Sequence, residues 1–161
     1  MRELDKHYTD PRLVEIYDIE NPRGIDTAFC LAFADEIDAQ RIIDLGCGTG
    51  LLTREFVSPQ RHVIGVDPSA AMLAFARQQP DADKVTWMEG DARVLGNQNA
   101  DLLIMTGNVA QIFLDDQDWL VTLRAIYMAL RPEGYCVFGS RNPAARAWER
   151  WNRAANYFAF D

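Results

Sequence analysis

The chain has 161 residues, 48% of them hydrophobic, a length and composition that suit one domain with its own core and exclude a disordered or collagen-like chain. Sixteen basic residues against 24 acidic ones, a net charge of −8 and no basic run speak against a nucleic-acid partner, which requires clustered Lys and Arg. The opening Met1-Arg2-Glu3-Leu4-Asp5-Lys6 is too charged for a signal peptide, and no uncharged stretch approaches the ~20 apolar residues of a membrane span.

In chain order, helical segments are expected over residues 11–17 and 24–38, making residues 1–40 an N-terminal helical cap. A first strand, Arg41-Ile42-Ile43-Asp44-Leu45, runs into a glycine cluster, and a helical stretch follows over 51–57. The second strand is His62-Val63-Ile64-Gly65-Val66, closed by Asp67-Pro68. Ser69 then caps a helix with Met72, Leu73 and Ala76 on its apolar face. Residues 85–88 form a third strand, and Asp101-Leu102-Leu103-Ile104-Met105 reads as a fourth, buried on both faces. Asp115 or Asp116 opens the clearest helix, with an apolar stripe of Trp119, Leu120, Leu123, Ile126, Tyr127 and Leu130. Arg131-Pro132-Glu133-Gly134 ends that helix, and residues 135–139 supply a fifth strand. Such alternation implies an α/β fold with a doubly wound, mostly parallel sheet across residues 41–141. Ala144, Trp148, Trp151, Ala155 and Phe158 share a helical face, so a C-terminal helix is expected over 142–161. With no repeat or linker, the whole chain reads as a single domain.

Open α/β sheets bind ligands at the carboxyl ends of their strands. After the first strand stands Asp44-Leu45-Gly46-Cys47-Gly48-Thr49-Gly50, a D-x-G-x-G-x-G pattern. A nicotinamide-binding G-x-G-x-x-G loop would put its third glycine at position 51, which is Leu51, so a pyrophosphate cofactor is disfavoured. Asp67, 21 residues after Gly46, ends the second strand, where a carboxylate accepts from ribose hydroxyls. Asp91 follows the third strand and is suited to an exocyclic amine such as adenine N6, while Asp44 is placed to hold an ammonium. Three carboxylates at three strand ends suit a ligand with an amine, a ribose and an adenine. They do not suit a phosphate.

Five ordered segments carry a resemblance. They are Ile42 through Gly50, Gly65-Val66-Asp67-Pro68-Ser69, Glu89-Gly90-Asp91-Ala92, Asp101-Leu102-Leu103-Ile104, and Leu130-Arg131-Pro132-Glu133-Gly134-Tyr135. Over residues 41–141 the chain resembles the class I S-adenosylmethionine-dependent methyltransferases of small-molecule type. The resemblance implies a Rossmann-like sheet in strand order 3-2-1-4-5, with S-adenosyl-L-methionine as cofactor. It also implies that Asp44, Gly46, Cys47, Gly48 and Gly50 face the methionine part of the cofactor. Asp67 and Pro68 then face the ribose, and Met72, Gly90, Asp91 and Ala92 the adenine side. Thr106 and Asn108 wall the pocket, and Tyr17, on a leading helix, closes over it. No residue is identified as catalytic, and none as a metal ligand.

Structural alternatives stand beside these roles: Asp44 as a loop cap, Asp67 as a turn residue, Met72 as core, Cys47 as packing, and Trp148 and Trp151 as a packed helix face. Cys30, Cys47 and Cys136 are far apart and read as buried thiols of a reducing cytosol, giving a cytoplasmic expectation. After the fourth strand Thr106-Gly107-Asn108-Val109 replaces any N/D-P-P-Y/F motif, and the acidic charge leaves a small molecule as the expected acceptor. A cofactor-binding module without catalysis and an aminopropyl-transferring enzyme are the alternative readings. Members of the family usually continue with an antiparallel strand pair, which is expected to be absent from residues 1–161. The fifth-strand edge or the C-terminal helix is then the expected surface for self-association.

Overall fold

The computed structural model describes residues 4–150. Helices α1 (Lys6–Thr9), α2 (Pro11–Glu20) and α3 (Ile25–Glu36) precede β1 (Arg41–Leu45), β2 (His62–Asp67), α4 (Ala70–Ala76), β3 (Val85–Glu89), β4 (Ala100–Met105), α5 (Asp116–Ala129) and β5 (Leu130–Phe138). The strands form one sheet, every pair parallel, in the order β3-β2-β1-β4-β5. The expected topology is therefore met. No helix among the described residues is long and apolar enough to cross a membrane.

Side-chain alternation divides the core in two. Ile43, Leu45, Ile64, Val66, Leu103 and Met105 face α5, where Ile126 and Ala129 close one layer. Ile42, Val63, Leu102 and Ile104 face the other way, onto Cys30 and Ala34 of α3 and onto Phe56. Strand register puts Trp87, Gly65, Asp44, Ile104 and Val137 in one row across all five strands, on the α3 face. That row places a carboxylate in a layer of hydrocarbon.

Several local expectations are corrected. The stretch after the glycine cluster is a single 3-10 turn, Thr53–Phe56, because Phe56 and Thr53 are drawn fully into the core. Asp115 caps α5 through bonds from the Gln117 and Asp118 amides. The buried stripe of α5 is Thr122, Ile126 and Ala129, whereas Leu120 and Tyr127 are exposed. Residues 131–134 lie inside β5 as an irregularity rather than between helix and strand. Leu130 already pairs with Ala100, the register slips, Glu133 turns left-handed, and Gly134 lies against the Ala100 carbonyl, where a Cβ would stand 2.8 Å away. Asp101 pins this edge, accepting from the amides of Gln40 (2.9 Å) and Arg41 (2.7 Å) and from Arg131 Nε (2.6 Å). Past β5 the chain makes two 3-10 turns, Pro143–Ala145 and Ala147–Arg150, separated by left-handed Arg146, which interrupts the helix expected from Asn142. Trp151, Ala155 and Phe158 lie outside the described residues.

Candidate functional site

Asp44 ends β1 beneath the glycine loop and is only 1% exposed. Its Oδ2 accepts from Thr53 Oγ1 at 2.6 Å, while Oδ1 is buried and finds no donor among the described residues. Burial pushes this carboxyl up to about 7; the Thr53 bond opposes the rise and the Asp67 charge adds to it. A buried carboxylate short of one donor is costly, so a cationic donor entering here would repair a deficit already built into the fold.

The loop above it bends because Gly46 and Gly48 take left-handed φ of +78° and +54°. This lets the amides of Gly46 and Cys47 both donate to the Val66 carbonyl, at 2.7 and 3.0 Å. Gly50 has a different reason to be glycine. The Trp87 indole fills the space where its Cβ would be, and lies 2.6 Å from where a Cβ of Gly65 would stand. Cys47 is packed in the same layer, and burial pushes its thiol well above the usual range. The structure thus supports packing for Cys47 rather than nucleophilic chemistry.

Asp67 ends β2 and accepts two backbone bonds, from Ser69 to Oδ1 and from Gly48 to Oδ2, both 2.8 Å. It staples the glycine loop to the start of α4, yet each oxygen keeps capacity for a second bond. Burial raises its pKa, opposed by those two amides. Ser69 caps α4, its hydroxyl accepting from the Met72 amide and donating to the Tyr8 carbonyl at 2.5 Å. Met72 is 1% exposed, turned inward on α4 with Leu73 and Ala76, which is the core position weighed for it beside an adenine contact.

Asp91 caps the 3-10 turn Ala92–Val94, and its carboxylate is clasped by the Arg93 guanidinium. That side-chain bond holds it below the ordinary carboxylate range. Gly90 takes φ +144° and donates to the Asp67 carbonyl at 3.0 Å, tying the β3 end to the β2 end. Ala92 is buried, backbone and side chain alike.

The leading helices sit on this part of the rim. Thr49 Oγ1 donates to Asp18 at 2.5 Å, and the Tyr17 ring packs against His7 (5.4 Å between centroids) and Tyr8 (6.1 Å). Burial, followed by the charges of Tyr8, Asp67 and Asp18, raises the Tyr17 hydroxyl to about 12. The Thr49–Asp18 and Thr53–Asp44 bonds carry no sequence motif; each depends on a tertiary approach.

Beyond β4 the pattern changes. Asn108 is exposed and accepts from Arg141, while the Val109 side chain occupies the space where a Cβ of Gly46 would stand. Thr106 lines a cleft of about 260 Å³ between α3 and the ends of β4 and β5, with Ile25, Asp26, Phe29, Cys30, Met105, Val137, Phe138 and Gly139.

Comparison with known proteins agrees with this geometry. The chain is 34% identical over 115 residues to a malonyl-[acyl-carrier protein] O-methyltransferase of Pectobacterium atrosepticum, covering 68% of this chain and 44% of that protein. A trans-aconitate 2-methyltransferase of Azoarcus sp. is 40% identical over 99 residues, covering 60% and 37%. The solved CcbJ methyltransferase of Streptomyces caelestis shares the fold at a TM-score of 0.74 and 22% identity, over 88% of this chain and 60% of that one. The chain thus spans less than half the length of these two curated relatives. The model of the family described as "Methyltransferase domain" matches residues 42–134, more than half of the sequence, from β1 through the glycine loop and the carboxylate-bearing strand ends into β5. By that match, the chain belongs to the methyltransferase domain family.

Proposed function

We propose that this chain binds S-adenosyl-L-methionine and transfers its methyl group to a small-molecule acceptor. The observation that carries the reading is Asp44 Oδ1, a buried carboxylate oxygen with no donor among the described residues, under a left-handed glycine loop. An α-ammonium supplies both the missing donor and the missing countercharge. Asp67, on the adjacent strand, retains acceptor capacity for a ribose diol. Two buried carboxylates without cations would repel a phosphate, which supports a sulfonium nucleoside over a dinucleotide. Homology to proteins named as methyltransferases supports the same reaction class.

The cofactor, when bound, supplies an activated methyl on a positively charged sulfur. The chain's part is to orient and to exclude water, and alignment alone is worth about 7–11 kcal/mol of barrier. Asp44 fixes the amino end, the amides of the glycine loop follow the chain of the ligand, and Asp67 fixes the ribose. Asp91 offers its carboxylate to the adenine edge when Arg93 releases it. Tyr17 covers the nucleoside, and Thr106 stands where the acceptor approaches.

Titration calorimetry with S-adenosylhomocysteine tests the reading. Saturable one-to-one binding is expected for the wild type, weakened in Asp44→Ala, with no binding of a nicotinamide dinucleotide. Absence of S-adenosylhomocysteine binding in the millimolar range, or tighter binding of the dinucleotide, overturns it.

A further inference from the structure

We infer that the cleft between α3 and the ends of β4 and β5 is the acceptor subsite, and that it selects an apolar molecule carrying a basic amine. This rests on the methyl-transfer reading and specifies its substrate class. Of the described residues lining the cleft, Asp26 alone is charged, and Ile25, Phe29 and Val137 supply apolar walls, with Met105 and Phe138 bounding it at the strand ends. Ile25 and Phe29 are largely exposed, so hydrocarbon faces the opening with nothing covering it among the described residues. A volume of about 260 Å³ lies near the lower end of ligand pockets, which run about 300–1,000 Å³, and suits a single ring with a short arm.

Position follows from register. Val137, Ile104 and Asp44 are consecutive members of one row on the α3 face, so the cleft's Val137 wall stands two strands from the carboxylate assigned to the cofactor's amino end, with Ile104 between them. Cys30 joins the two: it lines the cleft, and its thiol is raised first by burial and then by the charges of Asp44 and Asp26. Charge selects the ligand. Gln111 Nε2 donates to the carbonyl of the lining Gly139 at 3.1 Å, and its buried Oε1 finds no donor among the described residues. Arg141, just past Gly139, is bonded to Asn108. The one charge among the described residues lining the cleft is thus a carboxylate, complementary to an ammonium and repulsive to an acid, while the Arg141 guanidinium lies outside that lining. An amine held by Asp26 as an ammonium has no free lone pair, so it serves as a handle while another atom of the acceptor meets the methyl group.

Two probes of matched size test this in the presence of saturating S-adenosylhomocysteine: 2-phenylethylamine and 3-phenylpropionate, with binding followed by calorimetry and ligand-observed NMR. Wild type is expected to bind the amine at least tenfold more tightly than the acid. Asp26→Asn removes the preference, Asp26→Glu keeps it, and Phe29→Ala weakens both probes alike. An equal or inverted preference, an unchanged preference in Asp26→Asn, or no binding of the amine in the millimolar range overturns the subsite. Failure of S-adenosylhomocysteine itself to bind overturns the cofactor reading instead, and that result is read separately in the first titration.

Discussion

The two halves of the sheet's carboxyl rim are built from the same parallel strands and have opposite chemistry. At the ends of β1, β2 and β3 stand Asp44, Asp67 and Asp91, joined by backbone bonds from Gly48 to Asp67 and from Gly90 to the Asp67 carbonyl. At the ends of β4 and β5 the walls are hydrocarbon from α3 and the strands, with Asp26 as the charged exception. The difference begins in the connection that leaves each strand. After β1 and β2 the chain turns within a few residues through glycine, proline or serine, so the carboxylates stay at the rim. After β4 it makes a longer excursion, and α3 is left to roof the cleft. Among the described residues, no cation pairs with Asp44 or Asp67 in the polar half, and no side chain covers the exposed hydrocarbon of the apolar half. A ligand completing both would be cationic and hydrogen-bonding at one end and would approach an apolar acceptor at the other.

Gly50→Ala should produce the largest effect, and on stability rather than on binding. The φ of +72° disfavours a side chain, and the new Cβ would meet Trp87. Together these cost about 2–4 kcal/mol, seen as a drop of roughly 5–15 °C in melting temperature. If Gly50 is small for the sake of Trp87, the double variant with Trp87→Leu recovers part of the loss. Loss of S-adenosylhomocysteine affinity at unchanged melting temperature would instead move Gly50 into the ligand's contact surface. Next in size is Asp67→Ala, which should weaken S-adenosylhomocysteine binding by about 1.5–3 kcal/mol, the range for a charge-assisted bond. It should also lower stability, since the Ser69 and Gly48 amides lose their acceptor. Unchanged affinity in calorimetry would reduce Asp67 to a staple of the loop and erase the polar character claimed for its half of the rim.

The succession of strands, the tight glycine turn, and the placing of Asp44 and Asp67 at strand ends are legible in the sequence, because each depends on short-range patterns, whereas the strand order is what the family resemblance implies. Apolar runs specify buried parallel strands, glycines specify tight turns, and a carboxylate after a strand has nowhere to go but the rim. What Asp44 touches is not legible, because Thr53 reaches it only once Phe56 draws the following turn into the core. Gly50 has the look of a ligand-approach glycine, and nothing local reveals that a tryptophan from β3 occupies its flank. The Asp26 cleft leaves no trace in the sequence for a related reason: its walls come from α3, β4 and β5, which only tertiary packing brings together. The run 131–134 misleads because Pro132 and Gly134 look like a helix stop, while pairing of Leu130 with Ala100 starts the strand earlier.

Acidity should sharpen the comparison further, with two opposite slopes. The Asp44 carboxyl rises from 3.8 to about 7 on folding, so the folded chain holds that proton more tightly than the unfolded one. Its contribution to stability is therefore greatest in acid, falls as pH rises from about 4 to about 7, and levels off above. Binding of an ammonium needs the ionised form, so S-adenosylhomocysteine affinity should rise over the same interval, roughly tenfold between about pH 6 and about pH 8. Asp67, also raised, is present in both proteins compared, so the difference between wild type and Asp44→Asn isolates Asp44. Calorimetry and thermal melts across this range should show both slopes flattened in Asp44→Asn. An affinity that does not change with pH, or changes alike in the variant, would detach Asp44 from the ligand's amino group.

The smallest effect concerns the third carboxylate, and it decides how far the polar half extends. Asp91 is held by Arg93 in a clasp open to solvent, with Arg93 donating from both its amide and its guanidinium. Screening by water makes such a pair weak, so Arg93→Ala should leave the melting temperature almost unchanged. If Asp91 serves an adenine amino group, Arg93 is its competitor. Removing the guanidinium frees both oxygens while the Arg93 amide, present in any residue, still caps the turn. S-adenosylhomocysteine affinity should then rise by about twofold to fivefold, the scale of an exposed ion pair. The gain should shrink at high salt, where the pair is already screened in the wild type. Should affinity stay constant at every ionic strength, Asp91 is a turn cap, and the polar half of the rim ends at β2.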